Sequence, residues 1–390
     1  MPVLWIFSLC ALTSALANRS MDPLVTAVAR DFNSTVAAAA VVVSMYAFPY
    51  AFAQPILGPI GDYYGKGRVL KFCMWLQIAS MALVVFSPTL GVLMVARFVG
   101  GFAGGGIMPI GMALVGDHAA PAERQAAIAR YVSVALIGMM MSSALAGMLA
   151  VYVSWRGIFV IALVFSIACA VLMTIYIKDA PVPARRMRIA DATGGYRVLF
   201  SNPRAFVCFA AVLLEGTALY GVMPFIGPLL EERGRGGPFE AGLIITGLAF
   251  GAFAFTSTVK YTLRIFTRFQ LIFLGGAITA MGPLSLAFDL SWTGHLAAFT
   301  LAGVGYMMFH NSMQAEVAEL APNLRASAFA MHSCSFFTGQ SLGPILFALM
   351  SAGIGSSGSS VVFASGLILL GPAIALLLRR LPQSQTRDRG

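Results

Sequence analysis

Long apolar stretches recur along the whole chain, and this pattern restricts its fold more than any other feature. Of the 390 residues, 59% are hydrophobic and only 10% are charged, whereas a soluble domain carries about 25% charged residues. A soluble core cannot hide so much apolar surface, but a helix of about 20 apolar residues matches the thickness of a bilayer. The sequence therefore predicts an all-α membrane protein.

Twelve of these stretches are long enough to cross a membrane as helices. Most of the loops between them are short and contain glycine, proline and charged residues. The predicted spans are 3–28, 35–59, 69–88, 91–115, 126–152, 157–177, 204–229, 239–259, 269–288, 294–317, 326–352 and 359–378.

One longer polar stretch divides the twelve spans into two sets of six. Residues 178–203 combine basic residues and prolines with little apolar content, which is typical of a connecting segment. We expect an N-terminal half over 1–177, a cytoplasmic linker over 178–203, a C-terminal half over 204–380 and a cytoplasmic tail over 381–390.

The net charge of +10 first suggests a nucleic-acid partner, because basic chains often bind polyanions. The Lys and Arg residues fall mainly in short loops on one side of the predicted membrane and in the tail. The loops 88–91 and 289–295 on the other side have none. This asymmetry is the positive-inside pattern, which predicts that both termini are cytoplasmic. It favours a lipid bilayer over nucleic acid as the partner.

A charged, glycine-rich turn joins the second and third spans. Residues 58–68 read Gly-Pro-Ile-Gly-Asp-Tyr-Tyr-Gly-Lys-Gly-Arg, and the glycines allow two helices to meet in a tight hairpin. A phosphate-binding loop would need a strand before it, and the pattern predicts none there. The positions that define the motif are Gly58, Asp62, Gly65, Lys66 and Arg68.

This turn resembles the signature between the second and third helices of the major facilitator superfamily. The stretch from Arg97 to Gly105 is similar to the fourth-helix motif of that family, and Pro121 to Arg124 is similar to the turn after it. The antiporter signature in the fifth helix differs, because 139–144 lack its proline. The likeness covers nearly the whole chain and is nearest to bacterial efflux permeases of the drug-resistance and sugar-efflux kind.

The resemblance implies a monomeric transporter in a bacterial inner membrane. In this fold two halves rock about a binding site near the middle of the membrane. It also implies a gating role for the turn at 58–68. Asp62 is then expected to face the positive N terminus of a neighbouring helix, while Lys66 and Arg68 hold the turn on the cytoplasmic side.

The two halves also resemble each other when they are aligned at a constant offset of 201 residues. Ala120-Pro121 and Arg124 fall on Ala321-Pro322 and Arg325 in corresponding loops, which chance rarely produces. The sequence therefore predicts two six-helix pseudo-repeats. The other matching pairs are Pro23 with Pro224, Gly104 with Gly305, and Gly138 with Gly339.

In the fold that the resemblance implies, helices 1, 4, 7 and 10 line a central cavity, and each carries an ionisable residue here. A charge inside a bilayer costs about 2.5–3.5 kcal/mol on insertion scales, so it marks a pathway or a pair. The candidates are Arg19 and Asp22 on helix 1, Arg97 on helix 4, Glu215 on helix 7, and His310 beside Asn311 on helix 10.

Glu215 is the strongest candidate for a proton carrier. It lies near the middle of its span with no basic neighbour in the sequence. Apolar surroundings favour its neutral form, so it can bind and release a proton near neutral pH. A neutral structural Glu held by a hydrogen bond is the alternative. His310 titrates near physiological pH and can relay protons or bind substrate, or it can be a polar packing residue.

Arg19 and Asp22 lie three residues apart on one helix and can neutralise each other. Asp22 is expected near the outer end of that helix, within reach of solvent. Arg97 is expected to pair with a carboxylate or an anionic substrate group, unless it extends outward to water. Further expected cavity residues are Asn311, Gln314, Tyr46, Gln54 and Tyr220, whereas His332 and Gln340 are expected to serve packing.

Two groups of small residues are also expected to serve packing. The five cysteines lie singly in apolar runs, without the spacing of a metal site or a disulfide framework. The glycines of helix 4 give it a flat face for close contact with another helix. These glycines are Gly100, Gly101, Gly104, Gly105 and Gly106.

These expectations combine into a secondary transporter that exports a small amphipathic compound in exchange for protons. No cofactor is expected, because the sequence has no nucleotide-binding loop and the proton gradient supplies the energy. One alternative is a proton symporter that imports an organic anion, favoured by Arg19, Arg97 and His310. Another is a membrane sensor or scaffold that transports nothing. An enzyme is not expected, because nucleophile and metal motifs are missing.

Overall fold

The computed structural model describes residues 2–177, 199–320 and 325–381. Within them the chain is helical, with turns between the helices and no strand. Most of the expected linker, from 178 to 198, and most of the expected tail, from 382 to 390, lie outside the described residues. The domain boundaries at these two places stay predictions.

Six helical rods form the N-terminal half, and we number them α1 to α6. The first rod consists of three consecutive pieces, whereas the others are single helices. α1 comprises Pro2–Arg19, the 3₁₀ turn Asp22–Leu24 and Val25–Asp31, and α2 to α6 are Val36–Tyr64, Lys66–Val85, Leu90–His118, Arg124–Tyr152 and Gly157–Tyr176.

Six further rods, α7 to α12, form the C-terminal half. Gly355 separates the last two, because its φ of 74° is not helical, which leaves rods over 325–354 and 356–380. α7 comprises Pro203–Tyr220, the 3₁₀ turn Met223–Phe225 and Ile226–Glu232; α8 is Pro238–Ile265; α9 is Arg268–Thr279 with Met281–Ser285; α10 is Trp292–Leu320; α11 and α12 together are Arg325–Arg380.

The twelve rods agree with the twelve predicted spans. Nine helices of the described residues are long and apolar enough to cross a membrane by length and composition. One of these nine is the stretch Ser327–Arg380, which Gly355 divides into two. The rods outside this set are α9, which is in two short pieces, and α10, which carries several polar side chains. The predicted all-α fold class is confirmed.

The first and seventh rods are broken, whereas the sequence predicts continuous helices over 3–28 and 204–229. Each break is a 3₁₀ turn that contains a proline, Pro23 in α1 and Pro224 in α7. A proline has no N–H with which to continue the helical ladder, so the hydrogen bonding changes at this point. The pieces of the two rods correspond residue for residue at the predicted offset of 201.

The two ends of the bundle differ in how the halves meet. We name the end that contains the turn between α2 and α3 the Lys66 end, and the end that contains the turn between α1 and α2 the Asp31 end. At the Asp31 end, Arg30 of the first half and Glu231 of the second half form an ion pair of 2.5 Å.

Further contacts between the halves lie deeper along the interface. Thr246 Oγ1 on α8 donates to the Met140 carbonyl on α5 at 3.0 Å. Ser341 Oγ on α11 donates to the Ser44 carbonyl on α2 at 3.2 Å. These contacts extend the interface from the Asp31 end toward the centre of the bundle.

Near the Lys66 end, each ion pair of the described residues stays within one half. Lys66 Nζ lies 2.8 Å from Asp117 Oδ2 in the N-terminal half. In the C-terminal half, Arg204 and Glu316 form a buried pair of 2.7 Å. Among the described residues, the hydrogen bonds and the ion pair that join the halves therefore lie between the centre of the bundle and the Asp31 end.

Close contact between α2 and α4 depends on glycines of α4. A Cβ atom on Gly101 would lie 2.1 Å from the Tyr46 carbonyl oxygen, and one on Gly105 would lie 2.6 Å from the Tyr50 carbonyl oxygen. A larger residue at either position would displace the backbone of α2. The predicted flat glycine face of helix 4 is therefore confirmed.

Candidate functional site

Arg97 on α4 holds the break in α1. The last four carbonyl groups of a helix have no N–H partner within it, and the piece Pro2–Arg19 ends at the break. Arg97 is fully buried and donates to the Ala17 carbonyl at 2.7 Å and to the Asn18 carbonyl at 3.3 Å. Its guanidinium also stacks over the Tyr46 ring, 4.1 Å from the centroid.

This geometry corrects two of the partners expected for Arg97, a carboxylate and water, while contact with an anionic substrate group stays a prediction. The sequence predicts a partner for a carboxylate or an anionic substrate group, or a side chain that extends to water. The structure gives Arg97 two backbone carbonyls instead, and no carboxylate of the described residues forms an ion pair with it. Arg97 therefore positions helix 1, because carbonyl oxygens accept from a guanidinium as a carboxylate does.

Two adjacent serines on α5 satisfy the remaining carbonyls of the same helix end. Ser142 Oγ donates to the Leu16 carbonyl at 2.7 Å, and Ser143 Oγ donates to the Arg19 carbonyl at 3.1 Å. Both serines are buried. Sequence reasoning missed them, although a pair of serines in an apolar helix is a signal for a hydrogen-bonding site.

Arg19 and Asp22 lie directly at the break. Arg19 Nη1 is 3.5 Å from Asp22 Oδ2, so the contact predicted between them is present. Asp22 is only 1% exposed, which contradicts the expectation that solvent reaches it in this form. Neither of its carboxylate oxygens accepts a hydrogen bond from the described residues. Asp22 thus has Arg19 as its counter-ion, but no hydrogen bond from the described residues fixes the position of its carboxylate.

Arg19 also reaches across the interface to the C-terminal half. It donates a hydrogen bond to Gln340 Oε1 on α11, and its guanidinium lies 4.0 Å from the centroid of the Tyr220 ring on α7. The sequence predicts a packing role for Gln340, so this polar contact is a correction. Arg19 therefore touches both halves of the molecule in the buried centre of the interface.

Glu215 on α7 forms a buried hydrogen-bonded chain with two histidines. Its Oε2 atom lies 2.8 Å from His310 Nδ1 on α10. His310 Nε2 lies 3.4 Å from His332 Nε2 on α11, and all three residues are buried. The sequence predicts neither contact and assigns His332 to packing, which is a further correction.

The hydrogen-bonded chain of Glu215, His310 and His332 can hold a proton in more than one place. When Glu215 is neutral, its carboxyl donates to Nδ1 of His310, and the Nε2–H of His310 points to His332. When Glu215 is ionised, the Nδ1–H of His310 donates to the carboxylate instead. The arrival or loss of one proton thus reverses the direction of the hydrogen bonds, which is the behaviour required of a proton relay.

Aromatic rings separate the Glu215 chain from Arg19. The His310 ring lies 4.6 Å from the Phe336 ring and 5.1 Å from the Tyr306 ring. The Tyr220 ring, on which Arg19 stacks, lies 5.5 Å from Phe336. These rings exclude water, so a change of charge at Glu215 is weakly screened from Arg19.

Asn311 does not join this network. Its side chain is half-buried and makes no hydrogen bond to the described part of the chain. The neighbouring His310 faces Glu215, and successive residues of a helix point in different directions. Of His310 and Asn311, only His310 therefore belongs to this network, and a cavity role for Asn311 stays a prediction.

The glycine-rich turn lies apart from this centre, at the Lys66 end. Gly65 has a φ of +94°, a value that a residue with a side chain rarely adopts. This requirement explains the glycine at the point where α2 ends and α3 begins. A Cβ atom on Gly58 would meet nothing within 4 Å, so the described contacts do not explain that glycine.

The charged residues of the turn contact one another and α4. Asp62 is exposed, and its carboxylate lies 3.8 Å from Lys66 Nζ at the start of α3. Lys66 also pairs with Asp117 near the end of α4 at 2.8 Å, a partner that sequence reasoning missed. Arg68 is exposed. In the part of the chain that the structure describes, the ion pairs of the turn thus lie within the N-terminal half.

The rods, their internal repeat and the polar centre define a class of helical membrane transporter. Residues 7–288 and 209–390 match the Major Facilitator Superfamily, and the chain belongs to this family. It is therefore a multi-pass membrane protein that transports a small molecule, and it is not an enzyme.

Several relatives are similar over most of their length. YtbD of Bacillus subtilis, described as an uncharacterized MFS-type transporter, is 23% identical over 377 residues, covering 94% of this chain and 92% of the relative. A probable efflux pump of Aspergillus flavus, mfs2, is 22% identical, covering 90% of this chain and 98% of the relative.

Solved structures show the same fold. The nucleoside transporter NupG superposes with a TM-score of 0.79 at 15% identity, covering 96% of this chain and 99% of its own. A bacterial homologue of the human lysosomal transporter Spinster, in an inward-facing and unoccupied conformation, gives a TM-score of 0.78 at 15% identity, with 97% of each chain covered.

Proposed function

We propose that this transporter exports small amphipathic compounds across a bacterial inner membrane in exchange for protons. The observation that carries the proposal is the buried hydrogen bond of 2.8 Å between Glu215 and His310. Two groups that can each bind a proton lie in contact there, one aromatic layer away from Arg19. The proton gradient is the energy source, and no cofactor takes part.

Competition between the proton and the substrate at Glu215 couples their movements in opposite directions. An ionised Glu215 adds a negative charge to the site, which favours a cationic or amphipathic substrate. Protonation removes this charge and weakens the binding of that substrate. Because a buried carboxylate is costly without a partner, Glu215 takes up a proton when the substrate leaves. The proton and the substrate thus occupy the site in turn.

Arg19 links this site to the movement of the two halves. It contacts Gln340 and Tyr220 in the C-terminal half, while Asp22 in its own rod is a competing partner at 3.5 Å. A change of charge at Glu215 alters the relative free energies of these contacts. The halves then rock, and access to the site switches between the two ends of the bundle.

The distribution of basic residues supports a cytoplasmic Lys66 end. Cytoplasmic loops of membrane proteins carry an excess of Lys and Arg. The halves touch toward the Asp31 end, so this form is open to the cytoplasm, and both termini and the linker 178–203 are cytoplasmic. The exposed basic residues near the Lys66 end include Arg68, Lys260, Arg264, Arg379 and Arg380.

The turn from Gly58 to Arg68 acts as a gate in this cycle. Lys66 holds Asp117 in the form described here, and the Asp62 side chain is 72% exposed. When the Lys66 end closes, Asp62 becomes a contact for the C-terminal half. Closure at one end and opening at the other then exclude a continuous channel.

An organic-anion symporter is the second candidate. Arg19 lies at the interface, and its Nε atom has no hydrogen-bond partner among the described residues, which would suit a carboxylate ligand. In that case protons and substrate would move in the same direction. The direction of proton flow when substrate is added therefore separates the two candidates.

Proton flux in everted vesicles tests the proposal. A pH gradient is imposed, and dyes, drugs, sugars and organic acids are added in turn to vesicles that contain wild type, Glu215→Gln or Glu232→Gln. The second variant is a matched control, because Glu232 is an exposed Glu of the same rod. We expect an amphipathic compound to dissipate the gradient with wild type and Glu232→Gln but not with Glu215→Gln.

Two results would contradict the proposal. If Glu215→Gln still concentrates substrate against its gradient, Glu215 is not the coupling residue. If an organic acid enters together with protons while amphipathic compounds have no effect, the symporter reading replaces export.

Light scattering of the purified protein tests the expected monomer, for which a mass near 41.2 kDa after subtraction of detergent is required.

A further inference from the structure

A groove opens between α9 and α12 on the outer surface of the C-terminal half. The two helices touch near the centre, where a Cβ atom on Gly371 would lie 2.7 Å from the Phe273 carbonyl oxygen and one on Gly276 would lie 2.6 Å from the Leu367 carbonyl oxygen. From this contact toward the Lys66 end, the groove separates side chains of α9 from side chains of α12. The groove there has a volume of about 440 Å³.

The wall of the groove is almost entirely apolar. Phe269, Leu274, Pro372 and Leu376 are among the residues that line it. Leu376 is 55% exposed, so this surface faces outward from the bundle. Since both helices belong to a membrane-spanning bundle, the outward medium at this depth is lipid.

A basic residue lies at the mouth of the groove. The Arg379 guanidinium is 5.0 Å from the centroid of the Phe269 ring, and no carboxylate of the described residues forms an ion pair with it. Pro372 lies seven residues before Arg379, a rise of about 10 Å along the helix. The groove thus joins a cation at the membrane surface to an apolar slot that runs inward.

We propose that this groove binds one acyl chain of an anionic phospholipid in the leaflet at the Lys66 end, with the lipid phosphate on Arg379. Basic pockets between membrane helices recognise anionic headgroups, and a guanidinium matches the geometry of a phosphate. The volume of the groove lies within the range of about 300–1,000 Å³ that is typical of small-molecule sites. The site is separate from the transport centre and does not depend on the transported substrate.

Native mass spectrometry of the purified full-length protein tests this site. Phosphatidylglycerol is the anionic probe, phosphatidylcholine is the zwitterionic comparison, and glycerol phosphate represents the headgroup without acyl chains. We expect one tightly bound phosphatidylglycerol with wild type. Arg379→Ala should weaken its binding by roughly five-fold, the effect of one basic residue near an anionic surface.

Arg380→Ala is the matched control, because Arg380 is an adjacent exposed arginine that does not line the groove. It should leave the bound phosphatidylglycerol unchanged. Leu376→Trp should also weaken binding, because the larger ring fills the slot without a change of charge. This variant keeps the test informative if Arg379→Ala is poorly produced.

Several outcomes would overturn the proposal. Equal weakening by Arg379→Ala and Arg380→Ala would indicate general surface charge rather than a site. Equal binding of phosphatidylcholine would remove the role of the phosphate on Arg379. Binding of glycerol phosphate as tight as that of the lipid would show that the groove contributes nothing. A doubled mass that Leu376→Trp abolishes would identify a second copy of the chain as the occupant.

Discussion

The broken rods α1 and α7 have matching geometry but opposite chemistry at the break. In α1, polar side chains from α4 and α5 donate to the carbonyls at the helix end. At the equivalent positions of the C-terminal half no polar side chain is available. The donors are Arg97, Ser142 and Ser143, and their equivalents are Ala298, Gly343 and Pro344.

The break in α7 is stabilised by close packing instead. A Cβ atom on Gly343 would lie 2.5 Å from the Thr217 carbonyl oxygen, and the rings of Phe225 and Phe347 lie 4.7 Å apart. The polar group of this rod, Glu215, lies before the break and contacts α10. The comparison teaches that one half fixes its broken helix with hydrogen bonds, while the other leaves its main polar group available for proton binding.

Among the variants that test this comparison, Arg97→Met should have the largest effect on the free energy of unfolding. The variant removes two hydrogen bonds from a charged donor, each worth roughly 1.5–3 kcal/mol. The free energy of unfolding should therefore fall by about 3 kcal/mol or more, seen as a lower unfolding temperature in detergent. Ala298→Ser at the equivalent position is the control and should change little. If Arg97→Met unfolds at the wild-type temperature, Arg97 does not hold the break.

A smaller loss of unfolding free energy is expected when Gly343 is replaced by the serine that its equivalent, Ser142, provides in the N-terminal half. Gly343→Ser would set its Cβ 2.5 Å from the Thr217 carbonyl oxygen, and overpacking of this kind costs about 1–3 kcal/mol. At the equivalent position of the N-terminal half, Ser142→Ala loses a single hydrogen bond, worth about 1 kcal/mol. Thermal unfolding of both variants measures the difference. A stabilised Gly343→Ser would disprove the packing account of the α7 break.

The ion pair between the halves should have a weaker influence. Arg30 is 71% exposed at its side chain, and such pairs contribute less than about 1 kcal/mol. Arg30→Ala should shift the balance of open and closed forms at the Asp31 end a few-fold, measured as distances between spin labels on the two halves. Arg156→Ala breaks a pair with Asp31 within one half and should leave that balance unchanged. A similar shift in both variants would contradict a specific role for Arg30.

The smallest effect concerns a surface pair that only the C-terminal half has. Arg235 hydrogen-bonds Asp289 and lowers the pKa of its carboxyl, whereas the equivalent positions carry Ser34 and Pro88. A carboxyl with a lowered folded-state pKa stabilises the fold above its ordinary pKa, and this contribution is lost as the pH falls through the lowered value. The unfolding temperature of Asp289→Asn should therefore be slightly below wild type at neutral pH and equal to it in acid. A gap that widens in acid would refute this sign.

The fold could be predicted from the sequence because its determinants are local. An apolar stretch predicts a spanning helix from length alone, and the repeat at an offset of 201 is visible in single residues. The helix breaks could also be predicted, since Pro23 and Pro224 match at that offset. The continuous-helix prediction failed because a proline is tolerated in a membrane helix when neighbouring groups satisfy the carbonyls.

The site could be predicted only in part, because its contacts are not local. Glu215 and His310 are separate candidates in the sequence, but they are 95 positions apart, and no periodicity shows that they touch. Arg19 and Gln340 are 321 positions apart. The sequence also cannot tell whether Arg97 meets a carboxylate or a carbonyl, since both accept the same hydrogen bonds.

The contact between Arg30 and Glu231 joins equivalent positions of the two halves, and so does the contact between Arg19 and Tyr220. In a symmetric dimer of one six-helix unit, a residue on the two-fold axis meets its own copy. Two identical units would therefore set arginine against arginine at both places. Two halves with different sequences can instead place an acid and an aromatic ring opposite these arginines, so the divergence of the repeats is what makes both contacts attractive.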